Sequence, residues 1–250
     1  MLSFNRNTEE CNAISVPCRR LAIIPARSGS KRLPEKNIRP FCGRPMIGHI
    51  LTTARLSGLF TTIHVSTDSD RFTAVVTELG FRPDFARPAH LADDHTPLLP
   101  VLRYVTEQYQ QRGQQFDQVW LLMACAPLIE PDDLLAADRL YQQFGGQRAI
   151  LSIGRYAMPI ERAYRRDEQG ALTAVDPTSM PKRTQDLAPG YFDAGAFIAF
   201  PATRILTTDG VNDGSGFAGY LLPRHKAIDI DDEEDWQLAE ALYHIRHGSS

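Results

Sequence analysis

A cluster of basic side chains occupies one short segment, residues 23–37, with the sequence IIPARSGSKRLPEKN. The four cations of this basic segment are Arg27, Lys31, Arg32 and Lys36. Glycine and serine residues lie between them, and such small residues let backbone amides approach an anion. The composition predicts a cradle for a polyphosphate, most plausibly a triphosphate, although the order of residues is neither Walker A nor G-x-G-x-x-G. The alternative is a solvated basic surface.

A second pattern is acidic and lies in residues 227–236, AIDIDDEEDW. If this segment is a strand, Asp229 and Asp231 leave the same face, close enough to share one Mg²⁺. Without a cation their repulsion would cost stability. The same acids also suit the start of a helix with Asp232 as its N-cap. Both interpretations stay open, because residues 232–235 can serve the helix while the first two aspartates serve a metal.

Short continuous apolar runs predict the elements that position these groups. Residues 21–26, 61–67 and 119–124 have the pattern of strands buried on both faces. Helical periodicity lies between them, in residues 47–54 and 98–109. The alternation predicts an α/β protein with a Rossmann-like, doubly wound, mostly parallel sheet. Ligands bind such sheets at the carboxyl ends of the strands, where the basic segment falls.

The second half of the chain is less regular. Residues 149–155, 171–176 and 197–200 are predicted strands, separated by polar stretches that contain proline. We interpret these stretches as insertions that carry specificity.

The bulk composition limits the class of protein. With 250 residues, 43% of them hydrophobic, the chain suits one large domain, which we place at residues 19–248 after a disordered extension at residues 1–18. A net charge of -3 argues against general nucleic-acid binding. No apolar run approaches the roughly 20 residues needed to cross a bilayer, and the N-terminus lacks signal-peptide order, so we expect a cytoplasmic protein. The four cysteines lack zinc-like spacing and are expected to be reduced.

Several linked segments resemble the sugar cytidylyltransferases that activate nonulosonic acids, the group that includes the CMP-sialic acid synthetases. The segments are ARSGSKRLPEKN, VSTDS, RPAHLADDHTP and IDIDDEEDW, in the order and at the spacing of that family. On the acceptor side, MPIERAY and KRTQDLAPGYFDAGAFIAF are similar to the branch that acts on pseudaminic acid. The resemblance spans about residues 20–243. It implies a nucleotidyltransferase-type sheet with an inserted dimerisation and acceptor segment, at residues 156–184.

The resemblance also implies a reaction and a set of roles. CTP and a free nonulosonic acid would give a CMP-sugar and pyrophosphate, for surface glycan or flagellin glycosylation, in a homodimer that uses Mg²⁺. The residues implied are Arg27, Ser30, Lys31 and Lys36 for the phosphates, Asn37 near the ribose and phosphate, Arg87 and Thr96 for the cytidine, Asp229 and Asp231 for Mg²⁺, and Arg183, Gln185 and Asp193 for the sugar. One departure is Cys125 in ACAP, where relatives often have a threonine, so a hydrogen bond made there would be weakened or lost.

Three alternatives remain at the level of the sequence. In the first, the same reaction takes place on another acid sugar, such as sialic, legionaminic or 3-deoxy-octulosonic acid, and the acceptor-side residues favour pseudaminic acid over these. A catalytically silent nucleotide-sugar binding protein would be free to lose Lys36 and the aspartate pair, which this chain keeps. A glycosyltransferase is compatible with Asp229-Ile230-Asp231 as a D-x-D pattern, but the basic segment fits a triphosphate better than a nucleotide diphosphate sugar.

Overall fold

A computed structural model describes residues 18–27, 29, 32–93, 96–207 and 216–248. The strands are β1 (Arg20–Pro25), β2 (Pro40–Phe41), β3 (Arg44–Pro45), β4 (Thr62–Ser66), β5 (Gln118–Leu122), β6 (Ala149–Arg155), β7 (Tyr164–Arg166), β8 (Leu172–Ala174), β9 (Tyr191–Pro201) and β10 (Phe217–Leu221). The helices are α1 (Met46–Leu56), α2 (Asp70–Glu78), α3 (Leu98–Gln111), α4 (Pro131–Gln143), α5 (Ala202–Thr207) and α6 (Glu233–His247). The expected extension at residues 1–18 lies outside the described residues except for Cys18.

Six strands form the central sheet in the order β10-β6-β9-β5-β1-β4. β1 pairs in parallel with β4 and β5, and β10 pairs in parallel with β6. β9 is antiparallel to both of its neighbours, β5 and β6. The predicted mostly parallel α/β sheet is therefore confirmed, and one antiparallel strand joins its two parallel halves.

The strands of the sheet's centre are buried on both faces, as their apolar runs predict. In β1 the four inner residues, Leu21 to Ile24, have no exposed surface. Alternate residues of this strand belong to different core clusters, because successive side chains leave opposite faces of a sheet. One cluster packs beneath α1, α2 and α4, and the other beneath α3 and α5. The sheet thus has helices on both faces and a core on each side.

A third, smaller cluster fastens α6 to the segment that follows β1. Trp236 of α6 is buried against Leu33, Phe41 and Met46, and Ile230 completes the cluster with no exposed surface. The Phe41 and Trp236 rings meet edge to face with centroids 5.3 Å apart. Burying one such large side chain is worth on the order of 2–3 kcal/mol. This packing brings the acidic segment before α6 next to the basic segment after β1, although about 200 residues separate them in the sequence.

Two short strands outside the central sheet, β7 and β8, form an antiparallel hairpin within the predicted insertion. Single-turn helices at Ile160–Arg162, Pro177–Ser179 and Thr184–Asp186 surround the hairpin. Large apolar side chains of this insertion are exposed, including Leu172 at 60% and Met158 at 57%. Exposed apolar surface of this kind is typical of an interface.

Candidate active site

The main cavity has a volume of about 570 Å³ and lies at the carboxyl ends of β1 and β5. Its lining includes six of the residues predicted from the sequence: Arg27, Lys36, Asn37, Arg87, Thr96 and Asp231. The strand ends of a parallel sheet create this position, because the chain turns away from the sheet there and leaves a crevice. Two further predicted residues, Ser30 and Lys31, lie outside the described residues.

Lys36 is a largely enclosed cation of the basic segment, with 14% of its side chain exposed, against 67% for Arg32. It follows Glu35, whose φ of 55° is uncommon for a residue with a side chain, and Glu35 O accepts the backbone N–H groups of Ile38 and Arg39 at 2.9 and 3.0 Å. This tight turn directs Lys36 toward the acidic segment. Its Nζ donates to the carbonyl of Ile230 and lies 3.6 Å from Oδ1 of Asp231.

The loop between α2 and α3 closes the other side of the cavity. Arg27 Nη1 donates to the carbonyl of Asp93 at 3.0 Å. The carboxylate of Asp93 in turn accepts both the backbone N–H of Thr96, at 2.7 Å, and its hydroxyl, at 2.9 Å. Asn37 is held near Arg27, since its Nδ2 lies 3.5 Å from the Arg27 carbonyl. Arg27, Asn37 and Thr96 therefore belong to one connected wall.

Arg87 is a buried cation on this wall, with 6% of its surface exposed. Its Nε donates to Ser66 Oγ at 3.1 Å and its Nη2 to Ser66 O at 2.6 Å, at the end of β4. Burial lowers the pKa of Arg87 to about 10, against the opposing field of Asp68, so the group remains charged at neutral pH. A buried charge bonded to neutral partners costs free energy unless an anion or a strong acceptor joins it. The position suits a ligand that brings such a group.

The acidic segment differs from one sequence expectation. Residues 227–231 do not form a β-strand, because no neighbouring strand pairs with them. Asp229 and Asp231 nevertheless lie close together: partial burial and then repulsion by Asp231 raise the pKa of Asp229, while Lys36 opposes the rise. Arg32 Nη2 lies 2.9 Å from Asp231 Oδ2. The pair is therefore bounded by two cations of the basic segment.

The neighbouring acids serve the helix, as one of the two open interpretations stated. Asp232 is the N-cap of α6, and its side chain accepts the backbone N–H groups of Glu234 and Asp235, both at 3.0 Å. Asp235 completes a capping box by accepting the backbone N–H of Asp232 at 3.2 Å. The helix-start interpretation is thus confirmed for Asp232 and Asp235. Of the other two aspartates, Asp231 lines the main cavity and Asp229 does not, and their role toward a metal stays a prediction.

A bulge in β9 shapes the floor below Asp229. Ser152 of β6 faces the four residues 194–197 of β9, and its Oγ accepts the backbone N–H of Phe197 at 3.0 Å. Gly195 takes a φ of 61° in this bulge. The Asp193 carboxylate accepts the backbone N–H of Gly195 at 2.9 Å and is close enough to raise the pKa of Asp229. Bulges are common beside active sites because they redirect side chains.

Lys226 anchors the irregular segment that carries the aspartates. It is 7% exposed, and its Nζ lies 2.7 Å from Glu130 Oε2 and 2.5 Å from Asp133 Oδ2, at the start of α4. Asp133 also accepts the Tyr220 hydroxyl at 3.2 Å. The buried ion pair fixes the chain three residues before Asp229.

Cys125 lies on the cavity wall beside Lys36 and is 5% exposed. Burial raises the pKa of its thiol, with the charge of Lys36 opposing the rise. A buried, protonated thiol is a weak hydrogen-bond donor. This agrees with the expectation that the cysteine weakens any hydrogen bond a threonine would make there.

The three predicted acceptor residues are not brought together. Asp193 lies beside Asp229, as described above, whereas Gln185 lines a second cavity of about 340 Å³. Arg183 lines neither cavity, and its guanidinium forms two bonds to the Asp186 carboxylate, at 2.8 and 3.1 Å. The sequence places Arg183 and Gln185 two positions apart, but the turn at Thr184–Asp186 separates their directions.

The structure places at the two cavities one further cation of the basic segment, Arg32, and three residues for which the sequence predicts no role. Arg32 and Asp93 line the main cavity, and Arg155 and Arg224 line the second. A usable signal existed for Arg155, because it ends a predicted strand and therefore reaches the ligand-binding edge of the sheet. No local signal pointed to Asp93, since its role comes from a contact with Arg27, 66 positions away.

Comparisons with known proteins agree with this geometry. A cytidylyltransferase family profile matches residues 21–141. The chain is 33% identical over 232 residues to the pseudaminic acid cytidylyltransferase of Campylobacter jejuni subsp. jejuni serotype O:2, covering 92% of this chain and 98% of that protein. It is 30% identical to the CMP-N,N'-diacetyllegionaminic acid synthase of Legionella pneumophila subsp. pneumophila, covering 90% and 96% of the two chains.

A solved structure of CMP:2-keto-3-deoxy-manno-octonic acid synthetase complexed with CTP has the same fold. Its TM-score is 0.68 at 17% identity, over 91% of this chain and 99% of that chain. This likeness supports the nucleotidyltransferase-type sheet. The nearly full-length identity to the Campylobacter protein and the family profile confirm the resemblance inferred from the motifs: the chain belongs to the cytidylyltransferase family and is a CTP-dependent enzyme.

Proposed function

We propose that the protein joins CTP and a nonulosonic acid, pseudaminic acid in the first place, to give the CMP-sugar and pyrophosphate. The observation that carries the proposal is the main cavity, in which the cations Arg27, Arg32 and Lys36 face Asp231 at the carboxyl edge of the sheet. The identity to a protein named pseudaminic acid cytidylyltransferase supports the choice of sugar.

The reaction is an in-line displacement at the α-phosphorus of CTP. The anomeric oxygen forms a bond to that phosphorus, the bond to the oxygen bridging the α- and β-phosphates breaks, and the hydroxyl proton is lost to a base. Negative charge builds up on the leaving pyrophosphate. Arg27, Arg32 and Lys36 bind and orient the phosphates and stabilise that charge, and preorganised cations of this kind account for much of phosphoryl-transfer catalysis. In the same proposal Ser30 and Lys31 contribute to the cradle.

The nucleoside lies between Asn37 and the wall formed by Arg87 and Thr96. Arg87 offers a buried guanidinium, which suits the carbonyl oxygen of a pyrimidine base. Asn37 is positioned beside Arg27 for the ribose and the first phosphate.

Asp229 and Asp231 would hold Mg²⁺. The donor set fits the ion: two carboxylates whose mutual repulsion already raises the pKa of Asp229 are relieved by a divalent cation. Within the described residues no group of three or more His, Cys, Asp and Glu side chains is arranged for a metal, which agrees with an ion that takes its other ligands from phosphates and water. When bound, Mg²⁺ supplies charge neutralisation on the phosphates.

The acceptor is expected beside Asp193, next to the aspartate pair, and toward the second cavity, which Gln185 lines. Legionaminic acid is the second candidate sugar, because the chain is 30% identical to a protein named for that product. Arg183 was predicted to face the sugar, and its bond to Asp186 would have to open for that role.

A homodimer is part of the proposal. The insertion and the adjoining start of β9 expose large apolar side chains that a second copy would cover, namely Tyr156, Met158, Ile160, Tyr164, Leu172, Val175 and Tyr191. We expect analytical ultracentrifugation to give a dimer and Leu172→Asp to weaken it. A monomer in the wild-type protein would refute this part.

The use of CTP also favours the cytoplasm. The described residues include no helix that could span a membrane.

The direct test is pyrophosphate release from CTP with pseudaminic, legionaminic and sialic acids at matched concentrations. We expect clear turnover with pseudaminic acid and weak or no turnover with sialic acid. A higher rate with legionaminic acid would move the assignment to that sugar. Binding of CTP without turnover of any of the three would favour a non-catalytic nucleotide-sugar binding protein.

A further inference from the structure

The second cavity lies along the same edge of the sheet as the main one. It has a volume of about 340 Å³ and is lined by Arg155, Tyr156, Ala157, Pro159, Thr184, Gln185, Leu187, Pro189, Gly190 and Arg224. Arg155 ends β6, and Arg224 follows the end of the parallel neighbour β10. The main cavity uses the carboxyl ends of β1 and β5, on the other side of the antiparallel β9. The two cavities therefore flank β9.

The second cavity is lined by positive charge only. Two arginines line it and none of its lining residues is acidic. Within the described part of the chain neither guanidinium forms a hydrogen bond or an ion pair, whereas Arg162 and Arg183 nearby are bonded to Lys182 O and to Asp186. Two like charges that share a cavity repel each other, and an anion between them would remove that cost. The lining thus fits a monoanion.

The register of the sheet brings this cavity to the reacting groups. Ile153 of β6 is paired with Asp193 of β9, and Arg155 is paired with Tyr191. Arg155 therefore leaves the same face as Asp193, about 7 Å further along the strand. Arg224 is five positions before Asp229 in the segment anchored by Lys226. Both arginines have long side chains. Arg155 starts on β6, which pairs with the strand that carries Asp193, and Arg224 starts on the segment that carries Asp229.

From these observations we propose that Arg155 and Arg224 bind the carboxylate of the acceptor sugar. The inference rests on the proposed function, which makes the acceptor a sugar acid whose single negative charge is that carboxylate. Its carboxylate is attached to the carbon that bears the attacking hydroxyl, so its binding site has to border the Asp193 and Asp229 region. Guanidinium groups bind carboxylates through two parallel hydrogen bonds, which fix orientation as well as supply affinity. Gln185 and Thr184 then face the neutral polar substituents.

The test uses Arg155→Gln and Arg224→Gln, alone and combined, in the full chain. Arg82→Gln, which removes an equal charge from an exposed loop, is the control. Pyrophosphate release is measured against the concentration of pseudaminic acid and, separately, of CTP. We expect each single variant to raise the KM for the sugar about ten-fold or more, the scale of losing one charge-assisted contact, with the KM for CTP unchanged.

A second readout reports on the carboxylate itself. The wild-type enzyme should prefer the free acid over its methyl ester, and that preference should shrink in each arginine variant, because the group that distinguishes the two ligands is lost. A preference that stays the same in the double variant would overturn the proposal. So would a loss of activity that follows dissociation of the dimer in sedimentation, because the arginines would then serve an interface.

Binding measured without turnover separates this inference from the proposed function. Calorimetry with pseudaminic acid, in the presence of a non-hydrolysable CTP analogue, is run on the wild-type and double-variant proteins. Binding that is lost in the double variant, with no pyrophosphate released by the wild type, would uphold the arginine pair and refute the reaction. Equal binding by both proteins, or none by the wild type, would refute the pair.

Discussion

Gly195 and Asp229 are in direct contact: a Cβ atom on Gly195 would lie 3.1 Å from both Cγ and Oδ2 of the Asp229 carboxylate. A distance of 3.1 Å is shorter than most contacts that Cβ atoms make in folded proteins, so a side chain at position 195 would push against the carboxylate. The backbone of the β9 bulge therefore forms the surface on which Asp229 rests. The position of a proposed metal ligand thus depends on a residue with no side chain, 34 positions earlier in the sequence.

Substitution of this glycine should impair catalysis more than folding. Gly195→Ala is expected to displace the Asp229 carboxylate, lower kcat at least ten-fold and raise the Mg²⁺ concentration needed for half-maximal rate. Gly58→Ala is the matched control, since Gly58 has nearly the same φ, 62°, but no atom within 4 Å of its Cβ position. Both variants should lose a similar amount of stability, about 1–2 kcal/mol, because an alanine is strained in the left-handed backbone conformation. Equal catalytic losses in the two would contradict the contact.

The aspartate pair should behave differently from the acids that cap α6. Asp229→Asn and Asp231→Asn are expected to abolish Mg²⁺-dependent turnover, because a neutral amide is a poor ligand for Mg²⁺. Glu234→Gln, in the first turn of α6, should have a mild effect, and so should Glu233→Gln, although Glu233 also pairs with Arg39 at 2.7 Å. Activity is titrated with MgCl₂ for each variant. Equal and small losses in all four would mean that the metal binds elsewhere.

Removal of cations from the main cavity should lower turnover strongly. Arg27→Ala and Lys36→Ala are each expected to reduce kcat by roughly two orders of magnitude, as for the loss of one preorganised charge contact. Because Lys36 bonds to Ile230 O and lies beside Asp231, and Arg27 bonds to Asp93 O, each variant should lower the melting temperature only slightly. Arg71→Gln is the control, since Arg71 pairs with Glu35 outside the cavity lining. Normal turnover in either alanine variant would exclude that residue from the active site.

Two buried histidines should make the fold sensitive to acid. Burial lowers the pKa of His49 and of His64 to about 4, below the usual 6.5. Between about pH 4 and pH 6.5 these histidines bind protons in the unfolded chain but not in the folded chain. Their contribution to the free energy of unfolding is therefore fully present above pH 6.5 and is lost as the pH falls toward 4. His64 contributes strongly, because its buried Nε2 has no hydrogen-bond partner among the described residues.

Urea unfolding at pH 7 and pH 5 measures this effect. Each histidine should cost about 2 kcal/mol of unfolding free energy over that interval. His64→Phe should keep the stacking on Phe85, whose ring centroid lies 4.4 Å away, and reduce the pH dependence by about half. A His64→Phe profile identical to the wild type would show that His64 does not titrate in this way.

The sequence by itself predicted several elements of the central sheet, two of the helices beside it and the composition of the two charged segments. The continuous apolar runs predicted β1 and β5, because a strand covered on both faces has to be largely apolar. The mixed run at residues 61–67 predicted the edge strand β4. The predicted strand at residues 149–155 coincides with β6, whereas the run at residues 197–200 is only the last part of the longer β9. Local composition also identified Asp232 as a helix cap, since that bond joins near neighbours in the chain.

Only the tertiary structure decided how the distant residues meet. The bulge that places Gly195 under Asp229, the buried bonds from Lys226 to Glu130 and Asp133, and the pairing that carries Arg155 toward Asp193 all join separate parts of the chain. None of them has a local signature, because each depends on the register of two strands or on the packing of a loop against a helix. The basic and acidic segments also meet only because the Trp236 cluster packs α6 against the segment that follows β1. Residue types fix what a site can do, and long-range packing fixes which of them share it.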